Sequence, residues 1–565
     1  MSAIEMDTIK TKVKTNEDNT KISTCDNSII DRTKPSKVSE YINRINTYKV
    51  PIGASLCFSL AIIIIIVISI MGHKEVMIAS EDGSKVFAHT SCGRVEGLME
   101  DSSFTFRGIP FARPPIGELR FRFAQPLDRI QYCWNGTFIA HNDSGLCLQI
   151  LANGTTVGKE DCLTLDVVTP YVRYDNPLPV IVLIGSETLM GGSPGKLRPS
   201  ARYARSRDVV FVRPNFRLGA LGFLSLDILA ESDYPKTSGN YGLSDIVAAL
   251  NWVQLNIEHF GGNKHAVTVF GHRAGATLVT ALTAIQGAGK YFVRAWASSG
   301  SAVYPKRDAR QQQSDNRSFL DAVRCENVEC LRDMDAEMLV KAVEDTWRKP
   351  FLDLPLADEK PQDRHQWLVV DGRLLKSYTE EIWNPDTDLP VNLIIGTTAH
   401  SSSSEKLLMK HKHWTEELVK QHIQQSVVSS TGEGVFTMYD LNYEGLSRMI
   451  SDIRIVCPLL DLSRRLKSVP FYVVTQTRFA ECVADVDSDV DAILGRYEPR
   501  TPEQRRYFSA MQGLFYHYVW DGNIEQNMIG QRALIVGQDV LPNSSYSWCD
   551  YWTLKNVVPK YAVLD

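Results

Sequence analysis

The chain has 565 residues, 44% of them hydrophobic, and a net charge of −5 at pH 7. This length is too great for one small domain and is ample for a large buried core. Lysine and arginine are dispersed along the sequence rather than grouped in stripes, and the net charge is slightly negative. The composition therefore gives no electrostatic basis for nucleic-acid binding.

Residues 1–50 are rich in lysine, asparagine, threonine and serine and contain almost no aromatic residues. Such a segment cannot bury enough apolar surface to offset the loss of chain entropy on folding. We therefore expect a disordered tail.

Residues 51–72 are almost wholly apolar and uncharged, from Ile52 to Met71. Twenty helical residues span roughly 30 Å, the thickness of a bilayer core. A cleaved signal peptide is the alternative, but such peptides begin near the N-terminus and have a shorter apolar region. A transmembrane signal-anchor helix is favoured. Basic residues lie just before it, so the positive-inside rule predicts a cytoplasmic N-terminus; these are Lys34, Lys37, Arg44 and Lys49.

The predicted orientation places the rest of the chain outside the cell, as a short stalk (73–90) and an extracellular domain (91–565). Two features agree with this. Nine of the eleven cysteines lie beyond the span, as an oxidising compartment allows. All five N-x-[ST] glycosylation sequons also lie beyond it, at Asn135, Asn142, Asn153, Asn316 and Asn543.

In the extracellular domain, short apolar runs alternate with helical patterns. Runs of this kind are typical of strands buried on both faces, in a mainly parallel sheet covered by helices. The predicted strands are Pro179–Ile184, Val209–Val212, Ala266–Phe270, Val293–Ala297, Val391–Ile395 and Phe471–Thr475. Helical apolar spacing is found in Ser244–Phe260 and Pro502–Trp520.

The strand ending at Phe270 leads into Gly271-His-Arg-Ala-Gly275, and a helix is predicted over 274–285. Strand, tight turn and helix are the setting of a nucleophile elbow, whose pattern is G-x-S-x-G. Both glycines are present, but the central residue is Arg273 instead of serine. A guanidinium stays protonated and cannot attack a carbonyl.

Several longer segments resemble the signatures of the cholinesterase/carboxylesterase family, in the family's order. The resemblance implies an α/β-hydrolase fold, with a doubly wound, mostly parallel sheet. The matching segments are Phe106–Phe121, Glu160–Leu165, Asn215–Phe223, Gly239–Asp245 and Asn256–Gly262.

The resemblance also locates the positions at which the family carries its catalytic groups. The acid position falls at Ser401 and the base position, by an ungapped count, at Val486. The glycines of the family's oxyanion hole are replaced by Ser186, Glu187 and Thr188, which oppose stabilisation of an oxyanion. These concordant losses indicate no enzyme activity and resemble the non-catalytic adhesion branch of the family.

An unpaired buried guanidinium would be unfavourable, so we expect Arg273 either to reach solvent or to pair with Glu187, Asp485 or Asp487. The run Asp485-x-Asp-x-Asp-x-Asp491 suggests calcium, but its ligand pattern is incomplete and a solvated loop without metal is favoured.

Other candidate side chains are given structural interpretations. Ser298–Ser301 resembles a structural stretch of the family, and no base accompanies it. The histidines at 272, 400, 411 and 413 are interpreted as surface or loop residues, because their spacing matches no metal signature.

The resemblance implies three disulfides, Cys147–Cys162, Cys325–Cys330 and Cys457–Cys549. A Cys92–Cys133 bridge that leaves Cys482 free is a further hypothesis. No cofactor or metal is expected.

The function implied by the resemblance is heterophilic cell adhesion in neuronal development and axon guidance. The partner would be a secreted immunoglobulin-superfamily protein of the Amalgam type. Two alternatives remain: an active ester hydrolase with a displaced nucleophile, and a small-molecule carrier that uses the former substrate gorge.

Overall fold

The structure is a computed structural model. It describes Ile62 and residues 84–563, except for 152, 173–174, 303–307, 349–350, 361–363, 378, 384–388, 404–412, 467–468, 479–482, 523 and 525–532. The chain divides into two units, residues 1–75 and 76–565, and of the first only Ile62 is described.

The predicted tail (1–50), the predicted membrane span (51–72) apart from Ile62, and stalk residues 73–83 lie outside the described residues. In the part of the chain that is described, no helix is long and apolar enough to cross a membrane.

Most strands of the described residues belong to one thirteen-stranded sheet, and two short ones form a separate hairpin. The strands are β1 Lys85–Thr90, β2 Gly93–Glu100, β3 Ser103–Pro110, β4 Thr137–Ile139, β5 Gln149–Ile150, β6 Thr156–Val157, β7 Thr164–Thr169, β8 Leu178–Ser186, β9 Val210–Pro214, β10 Gly262–Arg273, β11 Arg294–Ser298, β12 Asn392–Thr398, β13 Phe471–Val474, β14 Ala533–Val536 and β15 Val540–Ser544.

Helices follow most of the sheet strands. They are α1 Ala201–Arg207, α2 Gly219–Phe223, α3 Asp227–Glu231, α4 Tyr241–Asn256, α5 Ala274–Thr283, α6 Ala309–Asp315, α7 Arg317–Val323, α8 Val328–Asp333, α9 Ala336–Lys341, α10 Asp345–Arg348, α11 Thr379–Ile382, α12 Glu416–Gln424, α13 Val435–Met438, α14 Tyr443–Ser451, α15 Cys457–Arg465, α16 Ser488–Ile493, α17 Pro502–Asp521 and α18 Trp548–Leu554. A π-helical segment, Asp452–Val456, joins α14 to α15.

The strand order is β1-β2-β3-β7-β9-β8-β10-β11-β12-β13-β14-β15, with β4 paired to β2. All neighbours from β9 to β14 are parallel, whereas β1-β2-β3-β7-β9 and β14-β15 are antiparallel. The six strands predicted from apolar runs are β8 to β13, in the parallel part. The predicted fold class, an α/β hydrolase with a mostly parallel sheet, is confirmed for this domain.

The boundary predicted at residue 91 is wrong. Residues 85–90 were assigned to a stalk, but they form β1 and pair along their whole length with β2. Phe87 and His89 alternate along β1 with the buried Val86 and Ala88. This two-residue alternation is that of an edge strand with one face on the core.

The core lies on both faces of the sheet. Along β8, Val180, Val182 and Ile184 belong to one hydrophobic cluster, and Ile181 and Leu183 belong to the other. Successive side chains of a strand point to opposite faces, so a strand with helices on both sides must be continuously apolar.

Parallel strands end at the same edge of the sheet, where α/β folds place their functional sites. At this edge Arg273 pairs in register with Ser186, and Ser298 with Gly396. Three segments therefore begin side by side: the elbow that contains Arg273, the loop that starts at Ser186 (the oxyanion loop), and the turn after β12 that contains Ser401 (the acid turn).

Candidate functional site

The elbow at the end of β10 keeps the backbone of a nucleophile elbow. Arg273 has φ 53° and ψ −126°, a conformation that L-residues rarely adopt, and α5 begins at the next residue. A Cβ on Gly271 would come within 2.4 Å of the Gly275 oxygen, and one on Gly275 within 1.9 Å of the Ile184 oxygen. The two glycines are therefore required by the tight turn, and they hold an arginine in place of a nucleophile.

The Arg273 side chain is held by a carboxylate. Its Nη2 lies 3.2 Å from Asp487 Oδ1, and the two side chains are 29% and 14% exposed. The predicted pairing of Arg273 is thus confirmed for Asp487. Among the described residues no ion pair joins Arg273 to Glu187, and Asp485 is paired with Arg478 instead.

Asp487 has two further contacts, one with the elbow residue His272 and one with Lys196. His272 Nε2 lies 3.1 Å from Asp487 Oδ1, and Lys196 Nζ lies 3.9 Å from Oδ2. Burial alone would raise the pKa of Asp487, but the His272 hydrogen bond and the charges of Arg273 and Lys196 outweigh it, so the pKa lies well below its usual range. Asp487 is therefore an ionised anchor for the elbow.

His272 and Asp487 form part of a Ser–His–Asp sequence of contacts. Ser298 Oγ lies 3.2 Å from His272 Nδ1, while His272 Nε2 faces Asp487. However, Ser298 is fully buried and its Oγ donates a 2.6 Å hydrogen bond to Asp489. A hydrolase nucleophile must reach substrate and give its proton to the histidine. In this arrangement the Ser298 proton faces a carboxylate in the core.

The oxyanion loop after β8 is closed on itself. Ser186 Oγ donates to the Thr188 oxygen at 2.6 Å and to the Gly191 oxygen at 3.1 Å. The Thr188 N–H donates to the Gly191 oxygen at 3.0 Å, and the Gly191 N–H donates to Thr188 Oγ1 at 3.2 Å. An oxyanion hole needs free N–H donors aimed at the reacting carbonyl. The N–H donors of Thr188 and Gly191 are thus used within the loop, and Glu187 is exposed beside them.

The acid position of the family is occupied by Ser401, which is buried. The preceding His400 is also buried, and burial, with a smaller effect of Arg448, lowers its pKa to about 3. No hydrogen-bond partner of the Ser401 hydroxyl or of the His400 ring nitrogens is found in the described part of the chain. A neutral imidazole and a hydroxyl therefore occupy the place predicted for the acid.

The base position, Val486, is buried and apolar. The backbone N–H of His400 donates to the Ala484 oxygen at 3.0 Å, and His400 forms an isolated parallel β-bridge with Asp485. These backbone contacts place the segment that contains Ser401 beside the segment that contains Val486. The contact between Arg273 and Asp487 brings the elbow to the same place. Sequence reasoning located the site but did not identify His272 or Ser298 as parts of it.

The aspartate run is not the solvated loop that was expected. Asp485 and Asp491 both pair with Arg478, and Asp489 is fully buried, accepting hydrogen bonds from Ser298 and Tyr472. In the described residues no group of three histidine, cysteine or acidic side chains is arranged to hold a metal ion. Within the run, Asp485 and Asp491 are paired with a guanidinium, and Asp489 is bonded by two hydroxyl groups.

The interpretation of the histidines as surface or loop residues is wrong for His272, which is 3% exposed and lies within β10. His400 lies in the turn after β12, as a loop residue, but it is buried, at 5% exposed. His413 is exposed, and His411 lies outside the described residues.

The three disulfides implied by the family resemblance are confirmed, and so is the further hypothesis of a bridge between Cys92 and Cys133. Cys482 lies outside the described residues. The 92-residue separation closed by Cys457–Cys549 ties α18 to α15.

The sequons differ in exposure. Asn135, Asn142 and Asn153 are exposed, and the Asn153 side chain accepts hydrogen bonds from Thr155. Asn316 is 1% exposed, and its amide donates to the Ser225 oxygen at 3.0 Å, which is incompatible with a glycan on that nitrogen. The side chain of Asn543 is outside the described set.

The sequence model described as the carboxylesterase family matches residues 84–527. The chain belongs to this family. It is similar to neurotactin of Drosophila melanogaster, with 47% identity over 536 residues, covering 93% of this chain and 63% of that protein. It is also similar to the juvenile hormone esterase of Tribolium castaneum, with 36% identity over 228 residues, covering 39% and 37% of the two chains.

A third relative is the cholinesterase of Mus musculus, with 28% identity over 419 residues and 66% of each chain covered. The chain thus spans less than two thirds of the length of each of these relatives. Among solved structures, a PNB esterase superposes with a TM-score of 0.63 at 24% identity, covering 80% of this chain and 96% of that one. This likeness shows the fold, and the relatives include esterases as well as neurotactin.

Proposed function

We propose that this chain is a catalytically inactive, cholinesterase-like cell-surface protein that mediates heterophilic adhesion through its esterase-like domain. One observation carries the proposal: Arg273 stands at the nucleophile position and is paired with Asp487. A guanidinium is a permanent cation without a nucleophilic lone pair, so this position cannot form an acyl-enzyme.

The neighbouring groups support the same conclusion. The Thr188 and Gly191 amides of the oxyanion turn are bonded within the turn, so these two are not offered to a developing negative charge. Ser298, whose hydroxyl contacts His272 and Asp489, has no access to solvent. The loss of all these elements on an intact sheet is best explained if the domain was retained for its surface.

The proposed placement is the plasma membrane, with residues 1–50 cytoplasmic, 51–72 as a single-pass type II signal anchor, and the esterase-like domain outside. The four disulfides of the domain are consistent with an oxidising compartment. The similarity to neurotactin and the resemblance to the adhesion branch support a secreted immunoglobulin-superfamily partner of the Amalgam type.

The test is a pair of measurements on the full-length chain. Cells that express it are mixed with untransfected cells, with and without added secreted immunoglobulin-superfamily proteins, and aggregation is scored. Adhesion predicts clusters that need both the chain and a partner; no binding of any such protein would reject the adhesive role.

In parallel, the detergent-solubilised chain is assayed with p-nitrophenyl acetate, with a PNB esterase as positive control. Turnover above the heat-denatured chain would reject the non-catalytic assignment in favour of a displaced nucleophile. A shift of melting temperature with small esters, without turnover, would instead favour a carrier.

A further inference from the structure

The segment that leads into α1 is strongly basic. Five of the twelve residues from 196 to 207 are lysine or arginine and none is acidic, although the whole chain has a net charge of −5. The five are Lys196, Arg198, Arg202, Arg205 and Arg207. The sequence-based statement that basic residues are dispersed is therefore wrong for this segment.

The fold leaves most of these cations in solvent. Arg198, Arg202 and Arg205 are exposed, whereas Ala204 of α1 is buried. Arg202 and Arg205 are three positions apart, so they share one face of the helix. In the described part of the chain, the guanidinium groups of Arg198 and Arg202 form no ion pair, and Arg205 lies over the ring of Tyr171 at 4.4 Å.

A second segment adds to this surface from a distant part of the sequence. The exposed Arg496 donates a hydrogen bond from its guanidinium to the Lys196 backbone oxygen. Gly495 lies so close to Tyr203 of α1 that a Cβ there would come within 1.9 Å of the ring. We define the basic face as Lys196, Arg198, Arg202, Arg205 and Arg496.

A cleft of about 670 Å³ opens beside the basic face, and Arg198 and Arg496 line it. The cleft is lined by four arginines and four acids, and its other two arginines are paired with three of these acids, while the fourth, Asp101, is exposed at its edge. The internal pairs are Arg107 with Glu100 and Asp143, and Arg213 with Asp166. Arg198 and Arg496 therefore remain available to an external anion.

Within 194–208 and 494–508, which form the basic face, no large apolar side chain is exposed. An exposed tryptophan, Trp520, lies at the Arg207 end of α1, where its Nε1 donates to the Arg207 oxygen at 3.2 Å. Protein interfaces are centred on apolar and aromatic anchors, which the basic face itself does not offer. Arginine is enriched instead, and its planar guanidinium group binds oxyanions through two parallel hydrogen bonds. A recess with arginines at its rim is also better suited to charged groups that project from a polymer chain than to the flat surface of a lipid bilayer.

We propose that the basic face binds a sulfated polysaccharide of the cell surface or extracellular matrix. Sulfate groups on such a chain would contact the exposed guanidinium groups, including those of Arg198 and Arg496 at the rim of the cleft. The outward placement of the domain is taken from the proposed function; the polysaccharide surface is additional to the site of any protein partner.

The test uses the detergent-solubilised full-length chain and heparin as the probe. We expect binding at physiological salt that weakens steeply as salt rises, because each cation that contacts the polyanion releases counterions. The variant Arg198→Ser/Arg202→Ser should bind heparin at least ~10-fold more weakly, and its slope of log affinity against log salt should be smaller by roughly two, as two lost contacts imply.

The matched control is Arg310→Ser/Arg317→Ser, which removes the same charge from exposed positions at α6 and α7. It should change heparin affinity less than ~2-fold, since long-range charge is screened at this salt. Melting temperatures of both variants establish that they are folded; both change exposed side chains only.

Three results would overturn the proposal: no heparin binding by the wild-type chain at physiological salt, equal losses in the two variants, or equal binding of unsulfated hyaluronan. Stronger binding to phosphatidylserine vesicles or to duplex DNA than to heparin would assign the face to those polyanions instead. Esterase turnover or failed cell adhesion would reject the proposed function and leave these binding results unaffected.

Discussion

The guanidinium of Arg273 lies 3.2 Å from the carboxylate of Asp487, across 214 residues of sequence. The first residue occupies the nucleophile position of a hydrolase elbow, and the second follows the position of the family's base. The predicted nucleophile position is thus joined by an ion pair to the residue next to the predicted base position.

We predict that Asp487→Asn lowers the free energy of unfolding of the esterase-like domain by about 1–3 kcal/mol, because it leaves a partly buried guanidinium without its counter-charge. Chemical denaturation measures the change. The control is Asp345→Asn, which breaks an ion pair with Arg348 at a 90%-exposed carboxylate and should change stability by less than ~0.5 kcal/mol. Equal effects of the two substitutions would contradict an anchoring role.

The same variant should change how the free energy of unfolding depends on pH in the acidic range. The folded-state pKa of Asp487 is lowered, so its contribution is fully present above the unfolded value of ~3.9 and is lost as pH falls through the lower folded value. Asp487→Asn should therefore flatten the dependence of stability on pH below pH ~4. An unchanged dependence on pH in this range would show that the carboxylate is not ionised in the folded protein.

Restoring the nucleophile should not restore activity. Arg273→Ser recreates the G-x-S-x-G pattern, but His272 is held between Asp487 and Ser298, and the Thr188 amide of the oxyanion turn is bonded to the Gly191 oxygen. Acyl transfer needs a free base as well as free oxyanion donors. We expect turnover of p-nitrophenyl acetate to stay at the level of the heat-denatured chain. Measurable turnover by this variant would mean that His272 can act as the base and that the loop after β8 can open.

A buried carboxyl away from this site predicts a second pH dependence. Burial raises the pKa of Asp452 to about 7, despite hydrogen bonds from Tyr439 and Tyr546 at 2.7 and 2.8 Å and the positive charge of Arg448. The folded state then binds a proton that the unfolded state releases at pH ~3.9 and above, so stability falls as pH rises from ~4 to about 7.

Asp452→Asn should remove this fall in stability and raise the melting temperature at pH 8 relative to wild type. Asp440→Asn, outside that cluster, serves as the control and should leave the pH profile unchanged. A wild-type melting temperature that rises from pH 5 to pH 7, unaffected by Asp452→Asn, would contradict the assignment.

Glycan occupancy should follow exposure. The electrophoretic mobility of Asn153→Gln, expressed in a secretory pathway, should shift by one glycan, whereas Asn316→Gln should not shift, because the Asn316 amide is buried against Ser225. Peptide-N-glycosidase treatment should abolish the difference between Asn153→Gln and wild type. A glycan on Asn316 would require α6 and its surroundings to differ from the structure.

The sequence predicted the central strands and the elbow because both depend on local signals. Strands such as β8 are continuously apolar since both faces are covered, and Gly271 and Gly275 mark a turn that excludes side chains. The pairing of Arg273 could be predicted only as a choice among three acids. Opposite charge identifies candidates, but the fold selects the partner.

The burial of His272 and Asn316 could not be predicted from local sequence. His272 contacts Asp487 across 215 residues, and the Asn316 amide is satisfied by a backbone oxygen 91 residues away. Neither residue type is apolar, so no periodicity marks it as a core position. The antiparallel strands at the sheet ends were missed for a related reason, because half-buried edge strands such as β1 carry a weaker pattern.

The most direct measurement of the central claim is labelling of the native full-length chain with a serine-directed fluorophosphonate probe, beside a PNB esterase. We predict no label above that of the denatured chain, because Arg273 lies at the nucleophile position and Ser298 is buried. Stoichiometric labelling that disappears on Ser298→Ala, or on replacement of any other single serine, would contradict it.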